Sequence, residues 1–231
     1  SKSCGENLNA GRMKIFNFNG SDGLLATIGG EKLNEPTDKP QDRKSDIGKI
    51  IFVDFKTKKK EIFSIGHRNP QGLFVQDNLI IATEHGPKGG DEINKIEFGK
   101  NYGWPIASYG TAYKHVKKNK NKKYLKNHLE NNFEEPIFSF VPSIGISEII
   151  KIPNKFSKNW ADNFLLASLN GGSLYKIKFN KNFDKIIYKE KIFINRRIRD
   201  LKYSVKYNAI ILALEDWKEI GILKKAENET N

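Results

Sequence analysis

Arg68 and Asn69 lie in the run Gly66-His67-Arg68-Asn69-Pro70-Gln71-Gly72-Leu73. A guanidinium offers a flat fork of donors and a permanent charge, which suits carbonyl and carboxylate oxygens. Pro70 fixes the backbone beside it and Gly72 relaxes it again. A second block follows, Glu84-His85-Gly86-Pro87-Lys88-Gly89-Gly90-Asp91-Glu92-Ile93-Asn94. Glycine lets a chain turn its carbonyl outward, and proline removes a competing N–H. Backbone carbonyls with nearby carboxylates are hard oxygen ligands of the kind Ca²⁺ takes. A third block is Asn101-Tyr102-Gly103-Trp104-Pro105, and a fourth is Arg197-Ile198-Arg199-Asp200. Two arginines two residues apart share one face of a strand. Each block has a plainer reading. Arg68 could pair with a carboxylate at a turn, Gly86-Pro87 could be a turn, Asp91 and Glu92 could cap it, and the arginine pair could be a solvated face.

Such Gly/Pro-rich polar blocks are loop material. The runs between them are short and strand-like: residues 12–18, 24–28, 49–55, 61–64, 79–83, 92–96, 163–167, 173–179, 185–194 and 209–214. In Ser173-Leu174-Tyr175-Lys176-Ile177-Lys178-Phe179 apolar residues recur at every second position, the period of a strand. Ser21-Asp22-Gly23, Asp77-Asn78 and Asn170-Gly171-Gly172 read as turns. Many short strands at regular spacing predict an all-β sandwich, barrel or propeller. Residues 29–45 and 108–135 are long and strand-free, and loops of that length are usually functional or disordered.

The chain has 231 residues, 38% hydrophobic and 29% charged, which is enough for a sizeable core. No apolar run approaches the roughly 20 residues of a membrane span. A single cysteine, Cys4, excludes an internal disulfide framework. The chain starts at Ser1 and its one methionine is Met13, which reads as a fragment or a processed product. The net charge of +13 raises nucleic-acid binding. The lysines, however, are spread along the whole chain, without ordered interleaving of basic and aromatic residues. The densest group, Lys114 to Lys126, reads as a solvated basic loop, or as a rim that attracts anions.

Taken in order, the blocks resemble the signature loops of the soluble PQQ-dependent sugar dehydrogenases, the glucose/sorbosone dehydrogenase family of six-bladed β-propellers. The resemblance runs from Gly11-Arg12 to residues 209–214. It matches the later part of the family domain, about four of six blades, with the N-terminal blades missing. It implies one all-β propeller domain over residues 1–231, with residues 108–135 as a long basic loop. It also implies PQQ and Ca²⁺ as cofactors, a small sugar oxidised at C1 by hydride transfer to PQQ, a periplasmic location, no nucleic-acid partner and no membrane span.

The resemblance also assigns residues. Arg68 would polarise the quinone carbonyl and, with Asn69, line the cofactor pocket. Ser143, Asn170, Arg197 and Arg199 would contact PQQ. The carbonyls of Gly86 and Pro87 would hold the Ca²⁺ that also holds PQQ, and Glu92 with the backbone at Tyr102 would serve a second calcium site. Arg68, Gly86, Pro87, Arg197 and Arg199 are expected to converge. Four departures stand out. The family's catalytic His position is Leu8, which has no lone pair to offer a sugar hydroxyl. Asn170 replaces a Lys or Arg. Val141-Pro142-Ser143 replaces Trp-Pro-Thr. Ile106-Ala107-Ser108 lacks the acidic residue of the second calcium site. His67 and His85 border the expected pocket as replacement bases. A non-catalytic propeller that binds a sugar or a quinone is the alternative reading.

Overall fold

The computed structural model describes residues 9–30, 37–114, 121–216 and 218–226. Their strands form four antiparallel sheets, each a meander in chain order. The first contains β1 (Ala10–Phe18), β2 (Ser21–Ile28), β3 (Lys49–Asp54) and β4 (Lys60–Ile65). The second contains β5 (Pro70–Gln76), β6 (Leu79–Glu84), β7 (Asp91–Lys95) and β8 (Phe138–Phe140). The third contains β9 (Ile146–Lys151), β10 (Phe164–Ser168), β11 (Ser173–Phe179) and β12 (Ile186–Phe193). The fourth contains β13 (Ile198–Ser204), β14 (Ala209–Leu214) and β15 (Glu219–Leu223). Sequential four-stranded meanders are the units from which propellers are built, as the sequence predicts.

Two compact units divide the chain at residue 143. In residues 1–143 the core is Phe16, Leu25, Ile50, Phe52, Phe63, Leu73, Ile80, Ala82, Ile96 and Tyr102. In residues 144–231 it is Ile152, Phe156, Leu165, Ala167, Leu174, Ile198, Leu201, Ile210 and Leu212. Each such Leu, Ile or Phe contributes about 1.5–3 kcal/mol by leaving water. Central strands are buried on both faces, so β6 and β10 are nearly continuous apolar runs. Outer strands such as β12 and β15 are largely exposed.

The turns follow local chemistry. Asn19 and Gly20 both have positive φ, 52° and 82°, as a two-residue hairpin turn demands. Ser21-Asp22-Gly23, expected as the turn, instead opens β2. The Asn-Gly pair just upstream is the stronger hairpin signal. Asp77-Asn78 does join β5 to β6, with Asp77 at φ 52°.

Two expectations need correction. Residues 66–73 read as one loop, yet β5 begins at Pro70; proline is accepted as the first residue of a strand. The basic loop 108–135 is not simply solvated. Tyr124 is buried and its ring packs 5.2 Å from Trp104, while His128 is buried as well. Lys126 Nζ donates to the Ser108 and Gly110 carbonyls at 2.9 and 2.5 Å.

Candidate functional site

The first and second sheets bring Arg68, Gly86, Glu92 and Tyr102 around one small cavity, together with Glu84, His85 and Trp104. Its water-accessible volume is ≈ 10 Å³, room for one water or one ion. Arg68 follows β4, Glu84 ends β6, His85 and Gly86 lie in the turn after it, Glu92 is in β7, and Tyr102 and Trp104 lie in the long connection from β7 to β8.

Arg68 is 3% exposed. Its Nη1 donates to the His85 carbonyl at 2.9 Å, and the guanidinium lies 5.3 Å over the Trp104 ring. Burial depresses its pKa, while Tyr113, Tyr124, Asp91 and Glu84 work the other way.

Glu84 ties the region together. Its Oε2 accepts the Arg68 backbone N–H at 2.8 Å, and its Oε1 accepts Asn94 Nδ2 at 2.9 Å. His67 Nδ1 lies 3.1 Å from the same Oε1, and His67 Nε2 lies 2.8 Å from Ser64 Oγ. Burial pushes the Glu84 pKa up, but His67 and the hydrogen bonds outweigh it and hold the carboxyl below its usual value. An ionised carboxylate only accepts, so Nδ1 carries the proton.

Glu84 and Glu92 are direct partners across β6 and β7. Like charges so placed repel. Asn94 Nδ2 softens the repulsion by donating to Glu92 Oε2 as well, at 3.3 Å. Burial and the Glu84 charge still push the Glu92 pKa well above the usual carboxylate value. Asn94 Oδ1 and His128 Nε2, both buried nearby, have no hydrogen-bond partner among the described residues. His128 Nε2 is 3.9 Å from Glu92 Oε1.

Gly86 is held from behind. Asp91 Oδ1 accepts the Gly86 N–H at 3.0 Å and the Ser143 hydroxyl at 2.8 Å. The Gly86 backbone presses on the Gly89 and Gly90 carbonyls, so a Cβ there would collide with main chain. Glycine is therefore required by packing at the position proposed to present a carbonyl.

The other sequence candidates lie as follows. Pro87 follows Gly86 in the chain and packs against Gly110. Asn69 Oδ1 accepts the Ala10 N–H at 3.2 Å and Gln71 Nε2 at 2.9 Å, so this amide holds the start of β1. Leu8 lies outside the described residues. His67 is fully buried with both ring nitrogens engaged, so it offers no free base. In residues 144–231, Arg197 and Arg199 do share a face: both donate to the Glu215 carboxylate, at 3.2 Å and at 2.9 and 3.0 Å. Asn170 is exposed in the turn between β10 and β11. Sequence reading missed Glu84, Asn94 and His128. Glu84 ends β6 and Asn94 lies within β7, where a polar residue gives no local sign of the partner it will meet; His128 sits in a lysine-rich run with no signal of burial.

Among the described residues, no three His, Cys, Asp or Glu side chains are grouped as a metal site. A cation here would rest instead on backbone carbonyls with one or two carboxylates. The oxygens fit that role: Glu92 lacks a full counter-charge, Asn94 Oδ1 is buried without a donor, and the cavity is ion-sized. The cavity is too small to enclose a tricyclic quinone, so for PQQ only the donor chemistry of Arg68 fits.

Four antiparallel meanders with a buried polar cavity at the strand ends define a protein of the β-propeller class. The family model for Glucose / Sorbosone dehydrogenase matches residues 2–224, and the chain belongs to that family. It is 31% identical over 200 residues to aldose sugar dehydrogenase YliI of Escherichia coli (strain K12), covering 80% of this chain and 52% of that relative. It is 50% identical over 58 residues to quinoprotein glucose dehydrogenase B of Acinetobacter calcoaceticus, covering 22% and 12%. A solved glucose dehydrogenase superposes with a TM-score of 0.75 at 25% identity, over 96% of this chain and 64% of that one. The apo form of the E. coli soluble aldose sugar dehydrogenase gives 0.72 at 25% identity, over 94% and 65%. The chain spans about half the length of the curated relatives it matches most extensively. No helix among the described residues is long and apolar enough to cross a membrane.

Proposed function

We propose that this chain is part of a PQQ- and Ca²⁺-dependent aldose dehydrogenase, a single propeller domain acting on a small sugar in the periplasm. The observation that carries the reading is the meeting of Arg68, Gly86, Glu92 and Tyr102 at one ion-sized cavity. In this reading the Gly86 and Pro87 carbonyls hold the Ca²⁺ beside PQQ, and the Glu92 carboxylate with the backbone at Tyr102 serves a second calcium. Asp91 and Ser143 fix the Gly86 backbone. Arg68 offers charge-assisted hydrogen bonds to cofactor oxygens, and Arg197, Arg199 and Asn170 offer further donors. When bound, PQQ accepts the hydride and Ca²⁺ acts as a Lewis acid on the reacting carbonyl.

The sugar hydroxyl proton needs a base, and Leu8 supplies none. Loss of a general base costs about 10²–10⁴-fold, so slow turnover is expected. This favours the second reading, a propeller that binds cofactor or sugar without efficient catalysis. Dye-linked aldose oxidation by the PQQ-loaded protein, compared with Leu8→His, separates the two. A rise of about 10²–10⁴-fold in the variant supports a lost base. Robust turnover by the unmodified protein shows that another group takes the proton. Calorimetry with Ca²⁺, with and without PQQ, tests the cofactors: no heat in either titration removes them and leaves shared ancestry.

A further inference from the structure

A second cavity lies in residues 144–231, at the end of the third sheet opposite Asn170. Strand direction puts it there. Asn170 sits in the turn from β10 to β11, whereas this cavity gathers the end of β9, the start of β10, the end of β11 and the start of β12. Its water-accessible volume is ≈ 400 Å³, within the range of about 300–1,000 Å³ typical of small-molecule sites.

The wall is aromatic. Phe164 and Phe179 meet edge to face at 5.1 Å, and Phe183 packs on them at 6.2 and 5.7 Å. Phe164 and Phe179 are buried. Phe164 lies on the sheet face opposite Leu165 and Ala167, which pack into the apolar core with β13 and β14. Phe164 therefore forms the floor of the cavity, 1% exposed, under Phe179 and Phe183.

Two local irregularities shape the opening. The β11–β12 pairing slips between Lys178 and Phe179, and the extra residue on the other strand is Ile187, which turns into the lining. Bulges re-aim side chains in this way. Phe183 has φ 54°, a backbone region that phenylalanine disfavours. The turn around it is pinned by Asn180, whose Oδ1 accepts the Asp184 and Lys185 N–H groups and whose Nδ2 donates to Asp184 Oδ1. The ring is thereby held over the cavity without a ligand.

The rim is cationic. Lys151, Lys178 and Lys181 line it against a single carboxylate, Asp162. Asp162 lies 3.9 Å from Lys151 Nζ. Lys178 and Lys181 have no carboxylate partner among the described residues. An apolar wall of ring edges and faces beneath uncompensated ammonium groups selects an anion with an apolar, ring-bearing body.

We infer that this cavity binds a small aromatic carboxylate, with its ring against Phe183, Ile187 and the edge of Phe179 and its carboxylate at Lys178 and Lys181. The site is separate from the one around Arg68 and does not depend on the proposed dehydrogenase activity.

The test is a titration of the full chain with 2-naphthoate, followed by amide ¹H–¹⁵N shifts. The expected result is saturable one-site binding at millimolar or lower concentration, with the largest shifts at Phe179, Asn180, Phe183 and Ile187. Lys178→Gln with Lys181→Gln should weaken binding by about tenfold or more, and uncharged 2-naphthalenemethanol should bind the unmodified chain correspondingly less well. Phe183→Asn keeps a residue that tolerates positive φ and should also weaken binding. If that variant misfolds, the lysine pair decides alone, because both side chains are exposed. Absence of saturable shifts, shifts centred elsewhere, or unchanged affinity in the lysine variant would overturn the assignment.

Discussion

Arg68 in the first unit and Arg197 and Arg199 in the second meet their surroundings in opposite ways. Arg68 is buried, stacked on Trp104 and held by the His85 carbonyl. Arg197 and Arg199 lie at the surface, with side-chain exposures of 45% and 38%, and share one carboxylate. The contrast extends to whole regions. Residues 1–143 bury His67, Arg68, Glu84, Asp91, Glu92 and His128, whereas the buried polar residues of 144–231 are mostly hydroxyls, with Glu148 and Asn163. Buried charges cost desolvation and are retained only with close partners. The first unit carries a polar network inside its blades, and the second is built mainly on apolar packing.

The strongest way to break that comparison is to remove Glu84. Glu84→Ala leaves His67, the Arg68 N–H and Asn94 without their shared acceptor. The expected loss is about 3–5 kcal/mol, the cost of breaking a buried pair. Glu215→Gln frees two exposed arginines and should cost about 1 kcal/mol or less. Urea unfolding of both variants measures the difference. Equal losses would mean that the buried network is not what stabilises the first unit.

Apolar truncation should not distinguish the units. Leu25→Ala and Leu165→Ala each remove a fully buried side chain, and each should cost about 2–5 kcal/mol. A consistently smaller loss at Leu165, under the same urea assay, would show that the second unit relaxes around cavities and is less tightly built than its burial implies.

What the sequence made legible divides along the same line. Alternation in residues 173–179 and the apolar run of 79–83 point directly to β11 and β6, because burial imposes a period or a continuous run. The Gly-Pro and Gly-Gly block marked the turn after β6, because main chain there leaves no space for a Cβ. β9, β8 and β15 were not anticipated: β9 is short and buried on both faces, β8 is only Phe138–Phe140, and β15 is exposed with little alternation. The partners inside the first site were least legible. Glu84, Asn94 and His128 come together through strand register and a long connection, and nothing in their local residue types announces it.

Lys49 gives a subtler contrast. It is fully buried in the first unit, and its ammonium donates to the Lys39, Pro40 and Ile47 carbonyls at 2.8, 2.9 and 2.7 Å. Burial lowers its pKa from 10.5 to about 8, against the pull of Asp42 and Asp46. Below pH 8 both states are protonated and the folded state bears the full cost of burying the charge. Between about 8 and 10.5 the unfolded chain binds more protons, so this residue's contribution to stability rises with pH. The rise should be on the order of 1–2 kcal/mol, reduced because three carbonyls solvate the ammonium. Lys49→Met should lower stability overall, since those carbonyls lose their donor, but it should flatten this part of the pH profile. A rise of the same size in the variant would place its origin in other groups.

The smallest structural effect is expected at Arg197 and Arg199, and there it sharpens the comparison most. Replacing both with Gln removes two exposed ion pairs to Glu215, worth about 1 kcal/mol or less together. The apolar residue between them, Ile198, stays buried in the core, so the strand should keep its place. If the second unit's arginines serve cofactor binding, the same double variant should lower PQQ affinity by about tenfold or more, since each charge-assisted hydrogen bond is worth about 1.5–3 kcal/mol. Arg68→Gln should lower both affinity and stability, because its side chain is part of the buried network. The informative readout is therefore the ratio of the two losses, from urea unfolding and from PQQ titration of each variant. A double variant that keeps full PQQ affinity would make Arg197 and Arg199 a solvated face. A double variant that loses stability as well would make them structural, and the division between a charged first unit and an apolar second unit would fail.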